Sequence, residues 1–212
     1  MRPNKKSFRK EKIAYAIVGD GGCEVWYSQM LKRNERHIQV SIEPKLAQKT
    51  PLIKQFEKTL ELAEEYSKVF WIVDYDVIQK ETRECKKGDK PKNQEFKEYY
   101  EFIQKNLSDK VIIIVNNSCL EFWFLLHFNF TSKNFSNCNE TQKELKKHLK
   151  DYEKTQAYFT KQKDIYFLLK DKIQTAITNS KKLGEFDIKN PNKSISEMWK
   201  FFEDEHIKSI IK

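Results

Sequence analysis

The sequence predicts an α/β protein with about four mainly parallel strands flanked by helices, followed by a helical C-terminal region. Three observations carry that prediction. Four short apolar runs rich in strand-forming residues recur in the first 120 positions, and those with little polar alternation suit strands buried on both faces. Segments with helical apolar spacing separate them, as expected of a sheet covered on both sides. From about residue 139 the pattern is helical throughout.

The elements follow in order. Ile13–Val18 (IAYAIV) reads as a buried strand running into a Gly-rich turn, Gly19-Asp20-Gly21-Gly22. Glu24–Arg33 carries Val25, Trp26, Met30 and Leu31 at helical spacing. His37–Glu43 alternates like a strand and stops at Pro44. Pro51–Lys68 opens with proline at an early helical position, where its missing N–H costs nothing. Val69–Val73 (VFWIV) is a third strand ending in Asp74-Tyr75-Asp76. Residues 79–95 are polar and charged, and predict a mobile loop. Phe96–Leu107 predicts a helix, Val111–Val115 (VIIIV) a fourth strand, and Ser118 a cap for the apolar helix Leu120–Phe128. Helices are then predicted over Glu140–Tyr152, Lys154–Leu169, Asp171–Leu183 and Ile195–Ile207, with Gly184 and Pro191 marking the gap before the last.

A chain of 212 residues with 39% hydrophobic and 13% aromatic content can bury a sizeable core. It divides into a basic segment over 1–12, an α/β domain over 13–138 and a helical region over 139–212. No apolar run of membrane-spanning length occurs and no signal-type stretch follows the basic N-terminus, so a cytoplasmic protein with no membrane partner is expected. The four cysteines, Cys23, Cys85, Cys119 and Cys138, lack CxxC spacing. In a cytoplasmic setting neither a disulfide nor a zinc site is expected.

The net charge of +9 is unevenly spread. Residues 1–12 carry a net +5, residues 133–212 another +5, and the middle −1. A nearly neutral body flanked by basic segments fits a nucleic-acid partner, because Lys and Arg displace counterions from phosphates. The plainer reading is a lysine-rich solvated surface. Lys143, Lys146, Lys147 and Lys150 share part of a helical face and admit the same two readings.

In open α/β sheets ligands bind beyond the carboxyl ends of the strands. The first predicted strand end carries Asp20 and Glu24, the third Asp74 and Asp76, and the fourth Asn116 and Asn117 with Glu121 one turn into its helix. Asp74 and Asp76, two apart on an extended chain, point the same way. The turn folds Glu24 back towards Asp20. Four carboxylates in one crevice repel unless a cation neutralises them, and all-oxygen donors suit Mg2+ or Mn2+. Such ions activate water and steady a leaving oxygen in phosphodiester cleavage. A Walker-type P-loop is excluded, since no Lys-Ser/Thr follows the glycines. His127, Trp123 and Phe124 read as core residues of the apolar helix.

IVGDGGCE (17–24) with Tyr27, VFWIVDYD (69–76), NNSCLEFWFLLHF (116–128) and DYEKT (151–155) together resemble the motifs of the RloB-like family. This likeness covers roughly residues 12–205, and the third motif is long and unusual. The resemblance implies a Toprim-like fold for residues 13–138 and an Mg2+- or Mn2+-dependent nuclease. Asp20 would match the first acid of the Toprim E-G-x-x-E motif, Glu24 the second, and Asp74 and Asp76 the D-x-D. Asp20 departs from the glutamate often found there, and Ser118 from the usual proline. Glu121 is expected either as a further metal ligand or as an orienter of Asn116. Lys154 is expected as a cation at the scissile phosphate, or else as a solvated lysine. The resemblance also implies a role in bacterial anti-phage defence, near the AbiL abortive-infection pair, with an ABC/AAA-type ATPase partner. A homo-oligomer is compatible with it.

The expected function is therefore phosphodiester hydrolysis of DNA or RNA, with Asp20, Glu24, Asp74 and Asp76 on metal and Glu121 and Lys154 beside them. A non-catalytic module that binds nucleic acid or the ATPase is the first alternative. Chemistry on a small nucleotide-like ligand, with residues 79–95 as a lid, is the second.

Overall fold

Every residue of Tyr15–Val18 is buried, as are all but the first of Lys68–Asp74. That pattern requires cover on both faces of the sheet. The computed structural model describes residues 14–46 and 48–211, and supplies that cover with helices. The predicted basic segment 1–12 and Ile13 lie outside the described residues.

The strands are β1 (Tyr15–Val18), β2 (Val40–Glu43), β3 (Lys68–Asp74), β4 (Val111–Asn117) and β5 (Ile195–Ser196). They form one sheet in the order β2-β1-β3-β4-β5. The first four are parallel, and β5 pairs antiparallel with the end of β4 through Asn116↔Ser196 and Asn117↔Ile195. The predicted α/β class holds, with one strand more than expected. The chain goes from β1 to β2 on one side, then returns past β1 to place β3 on the other. The crevice between the carboxyl ends of β1 and β3 is thus the switch point where α/β sheets bind ligands.

Helix α1 (Gly22–Asn34) carries Lys32 and Arg33 in its last turn, where cations favour the dipole. Helix α2 (Leu52–Glu65) follows Pro51 and buries Leu52, Gln55, Thr59, Leu62 and Ala63 along one face. Helices α3 (Tyr75–Arg83) and α4 (Lys92–Asn106) occupy much of the stretch predicted as a loop over 79–95. Their solvent faces are polar and laced with i,i+3 and i,i+4 pairs such as Lys92–Glu95 and Lys80–Glu84. Only residues 84–91 lie outside helix there.

Helix α5 (Leu120–Leu126) is fully buried, Glu121 included. Helix α6 (Cys138–Leu145) is capped by Asn137, whose side chain accepts from the Glu140 N–H. The single helix predicted over 154–169 is two short ones, α7 (Gln156–Thr160) and α8 (Ile165–Leu169). The break has a cause: Asp164 accepts from the Phe167 N–H and so starts a new helix. Its other carboxylate oxygen is held by Asn34 at 2.9 Å and by Arg33. A 3-10 turn at Lys170–Lys172 leads into α9 (Ile173–Leu183). The helix predicted over 195–207 is replaced by β5, α10 (Trp199–Phe202) and α11 (Glu205–Ile210). Asp204 caps α11 and also receives the Tyr15 hydroxyl at 3.0 Å and the Lys68 ammonium. Buried apolar residues run as one cluster from Tyr15 to Ile207.

Cys119 and Cys138 form a disulfide, with Cα atoms 5.6 Å apart, while Cys23 and Cys85 are free. The sequence reading expected none. The loop after α5 folds back and lays the start of α6 against the start of α5, a closeness that cysteine spacing does not reveal. Protein purified without reductant and then denatured should show two titratable thiols, rising to four after reduction. Closure of a loop of this size implies that reduction lowers stability by about 3 kcal/mol. Four thiols in the unreduced sample would disprove the linkage.

Candidate metal centre

The Gly-rich turn after β1 is pinned at both ends. Gly19 N–H donates to the Glu43 carbonyl at 3.0 Å, and Thr50 N–H donates to the Asp20 carbonyl at 3.0 Å. Gly19 is required by close approach, since a Cβ there would lie 2.8 Å from the Glu24 Cβ. That contact lets α1 begin immediately and turns the Glu24 carboxylate back over Asp20. Glu24 sits in the first turn of α1 and is buried.

Asp74 is the last residue of β3, adjacent to β1 in the sheet. The carboxylates of Asp20, Glu24 and Asp74 come together, with one oxygen from each within 4.8 Å of the others. Glu24 Oε1 and Asp74 Oδ1 are buried without a hydrogen-bond partner. Unsatisfied buried carboxylate oxygens are costly, and converging ones could hold a cation. The donors are all oxygen, which fits a hard divalent ion.

Asp76 departs from the expected geometry. Tyr75 already begins α3, so Asp74 and Asp76 do not lie together on extended chain. Asp76 Oδ2 accepts from the Cys138 N–H at 3.2 Å, and Oδ1 is buried without a partner. It stands beside the triad rather than within it.

Glu121 is completely buried at the start of α5. Its Oε1 accepts from the Tyr152 hydroxyl at 2.8 Å and lies 3.2 Å from Lys154 Nζ. The Cys138 sulfur, lacking a proton in the disulfide, lies 3.0 Å from Oε2. Glu121 does not orient Asn116, whose Oδ1 accepts from Ser196 Oγ at 2.6 Å. Cys119, Cys138 and Glu121 also gather closely, but the sulfurs bond each other and offer no thiolate while that bond stands. Tyr152, Gln142 and the Cys138 amide were missed by the sequence reading. Tyr152 had a signal, two residues before Lys154 in the DYEKT motif. His127 is a core residue as expected: its Nδ1–H meets the Trp123 carbonyl at 2.9 Å, and burial pushes its pKa down to about 4.

The electrostatics agree with the geometry. Burial pushes the Asp20 carboxyl well above the usual range, and the Glu24 charge adds to this. Glu24 is raised by burial, with Lys154 pulling the other way. Asp74 is raised by burial and by Glu24 and Asp20. Asp76 is raised by burial against the opposing Cys138 N–H. Burial works against the Lys154 charge, but Glu121 and its acidic neighbours outweigh this and keep the ammonium firmly protonated. Tyr152 is raised by burial and then by Glu121, so it remains a donor. The triad and Lys154 line one open cleft of about 260 Å³, together with Lys49, Lys80, Glu81 and Glu84.

Raised carboxyl pKa values stabilise the metal-free fold at low pH, and that contribution is lost as pH rises through them. Above about pH 7 His127 is neutral folded or unfolded and drops out. The raised carboxyls therefore make metal-free stability fall as pH rises above the ordinary carboxylate range, and manganese should restore it with a larger melting shift at the higher pH. Asp74→Asn should stabilise the metal-free protein at pH 8 by about 1–3 kcal/mol and remove the manganese response. An unchanged response would exclude Asp74 as a ligand. Gly19→Ala should cost about 1–3 kcal/mol by overpacking against Glu24, read by denaturant melts.

A family model described as RloB-like protein matches residues 15–204. No curated protein and no solved structure matches the chain. The match takes in the glycine turn, the acids of β1 and β3 and the Glu121–Lys154 pair alike, and on that extent this chain belongs to the RloB-like family.

Proposed function

We propose that this protein is a metal-dependent nuclease that hydrolyses phosphodiester bonds of DNA or RNA, with Mg2+ or Mn2+ held by Asp20, Glu24 and Asp74. The observation that carries the reading is the convergence of three carboxylates at the β1/β3 switch point, with buried oxygens of Glu24 and Asp74 lacking any partner. Asp76, with one free buried oxygen, is the fourth acid of the set. A bound divalent ion supplies a water of lowered pKa and neutralises charge on the leaving oxygen.

The remaining roles belong to the chain. Lys154 is a cation at the cleft wall, where it meets the charge that builds on a phosphoryl group. Glu121 and Tyr152 are positioning residues: the carboxylate holds the Lys154 ammonium, and the hydroxyl satisfies the carboxylate. The cleft is open to solvent. That supports a phosphodiester drawn from a long chain lying across the opening over an engulfed small nucleotide.

Family membership supports a place in anti-phage defence beside an ABC/AAA-type ATPase. Among the described residues no helix is long and apolar enough to cross a membrane. A second reading, a binding module without catalysis, draws support from Asp76, one oxygen of which is taken by the Cys138 amide. Calorimetric titration with manganese separates the two, because a vestigial site gives no heat of binding.

The protein, alone or with its ATPase, should cleave nucleic acid only when manganese or magnesium is present. Asp74→Ala combined with Asp76→Ala should lower the rate at least a hundredfold, the scale expected when charge-stabilising groups are lost. Undiminished cleavage by the double variant would rule the site out.

A further inference from the structure

The C-terminal end of α5 carries a second cluster unlike the acidic crevice. Phe130, 46% exposed, follows the helix in a polar segment, and Lys182 Nζ lies 5.6 Å from its ring centroid. Two residues earlier the Phe128 ring stacks on His148, with centroids 5.0 Å apart and planes 7° from parallel. Lys172 Nζ lies 4.4 Å from that same Phe128 ring. Lys133 Nζ sits 5.1 Å from Phe135 in the same segment. Helix α9, which supplies Lys182, is fixed to this end of α5 by the Asn179 amide donating to the Leu126 carbonyl at 2.9 Å.

The sequence segments that supply this cluster are basic. Residues 128–150 and 170–182 hold nine lysines against three acids, a net +6. With +5 in residues 1–12 and +9 overall, the rest of the chain is net −2. Of the nine lysines only Lys147 and Lys181 form ion pairs among the described residues. Unpaired ammonium groups around an exposed, stackable ring, that of Phe130, serve two functions at once: the amines take phosphates and the ring takes an unpaired base. A duplex would offer phosphates but keep its base faces stacked inside.

We propose that this lysine–aromatic face, centred on Phe128, Phe130, Lys172 and Lys182, binds single-stranded nucleic acid outside the metal centre. The proposal rests on the nucleic-acid reading above but not on catalysis. Its test uses the full-length protein in chelator, where no cleavage occurs, with fluorescence anisotropy on a dye-labelled oligothymidylate. Phe130→Ala removes an exposed ring and should weaken binding about tenfold. Lys172→Glu with Lys182→Glu should weaken it further and flatten the dependence on salt by about one unit of slope per lysine. The N-terminal lysines are present in every variant and cancel in the comparison. An abasic oligomer of equal charge should bind more weakly, with no response to Phe130→Ala. Equal binding of the abasic oligomer, unchanged binding by the Phe130 variant, or no binding by the parent protein would each overturn the proposal. Binding is read in chelator and cleavage in manganese, so loss of nuclease activity and loss of this surface are read separately.

Discussion

Gathering acids between two buried strands is the constraint to which the rest of this structure answers. Oxygens of Asp20, Glu24 and Asp74 lie within 4.8 Å of one another. At an effective dielectric near 20, unit charges about 5 Å apart repel by about 3 kcal/mol. Three fully ionised groups would then oppose folding by about 10 kcal/mol, comparable with the whole net stability of a typical domain. Two remedies exist: protons or a cation. The raised carboxyl pKa values express the first. The second is available because the oxygens already face one another. A sequence selected for stability alone would place neutral side chains here, so the cost points to function.

The surrounding polar groups hold this arrangement from the other side of the crevice. Glu121 reaches across to Tyr152 and Lys154, whose segment lies more than 30 positions later in the chain. Cys138 contributes its amide to Asp76 and its sulfur to Cys119. The linker after α5 is thereby tied to the ends of both β3 and β4. Asp76 is in turn kept at the edge of the triad by its own hydrogen bond. The D-x-D pair is thus divided between two tasks, one acid facing the crevice and the other bracing the loop that carries Lys154's neighbours.

Much of this was legible from sequence because the signals were local. The strands announce themselves as unbroken apolar runs, and burial on both faces leaves them no other reading. The Gly19–Glu24 turn is readable because glycine beside acid has a steric reason. What escaped depended on the fold. β5 is two residues long and exists because β4 offers an edge, so no periodicity marks it. Helix over 79–83 and 92–95 was hidden by polar composition, since ion pairs along solvent faces leave no apolar stripe. The extended reading of Asp74 and Asp76 failed at Tyr75, where the chain turns helical within one residue. The break at Asp164 was readable in principle as a cap, but Arg33 and Asn34, which fix it, lie about 130 positions away.

Helix α5 joins the two electrostatic regions. Glu121 in its first turn belongs to the acidic crevice, and Phe128 just beyond its end belongs to the lysine–aromatic face. Seven residues of helix span about 10 Å, so one buried element sets the distance between them. A helix packed on every side cannot slide or tilt without opening the core. Its rigidity means that a chain held at one end would meet the other at a fixed offset, which is how a scaffold turns binding at one place into positioning at another. The opposite signs of the two regions reinforce this. Under the proposed function, bare carboxylates would repel a polyanion and the lysines would attract it, and a cation in the crevice would offset that repulsion.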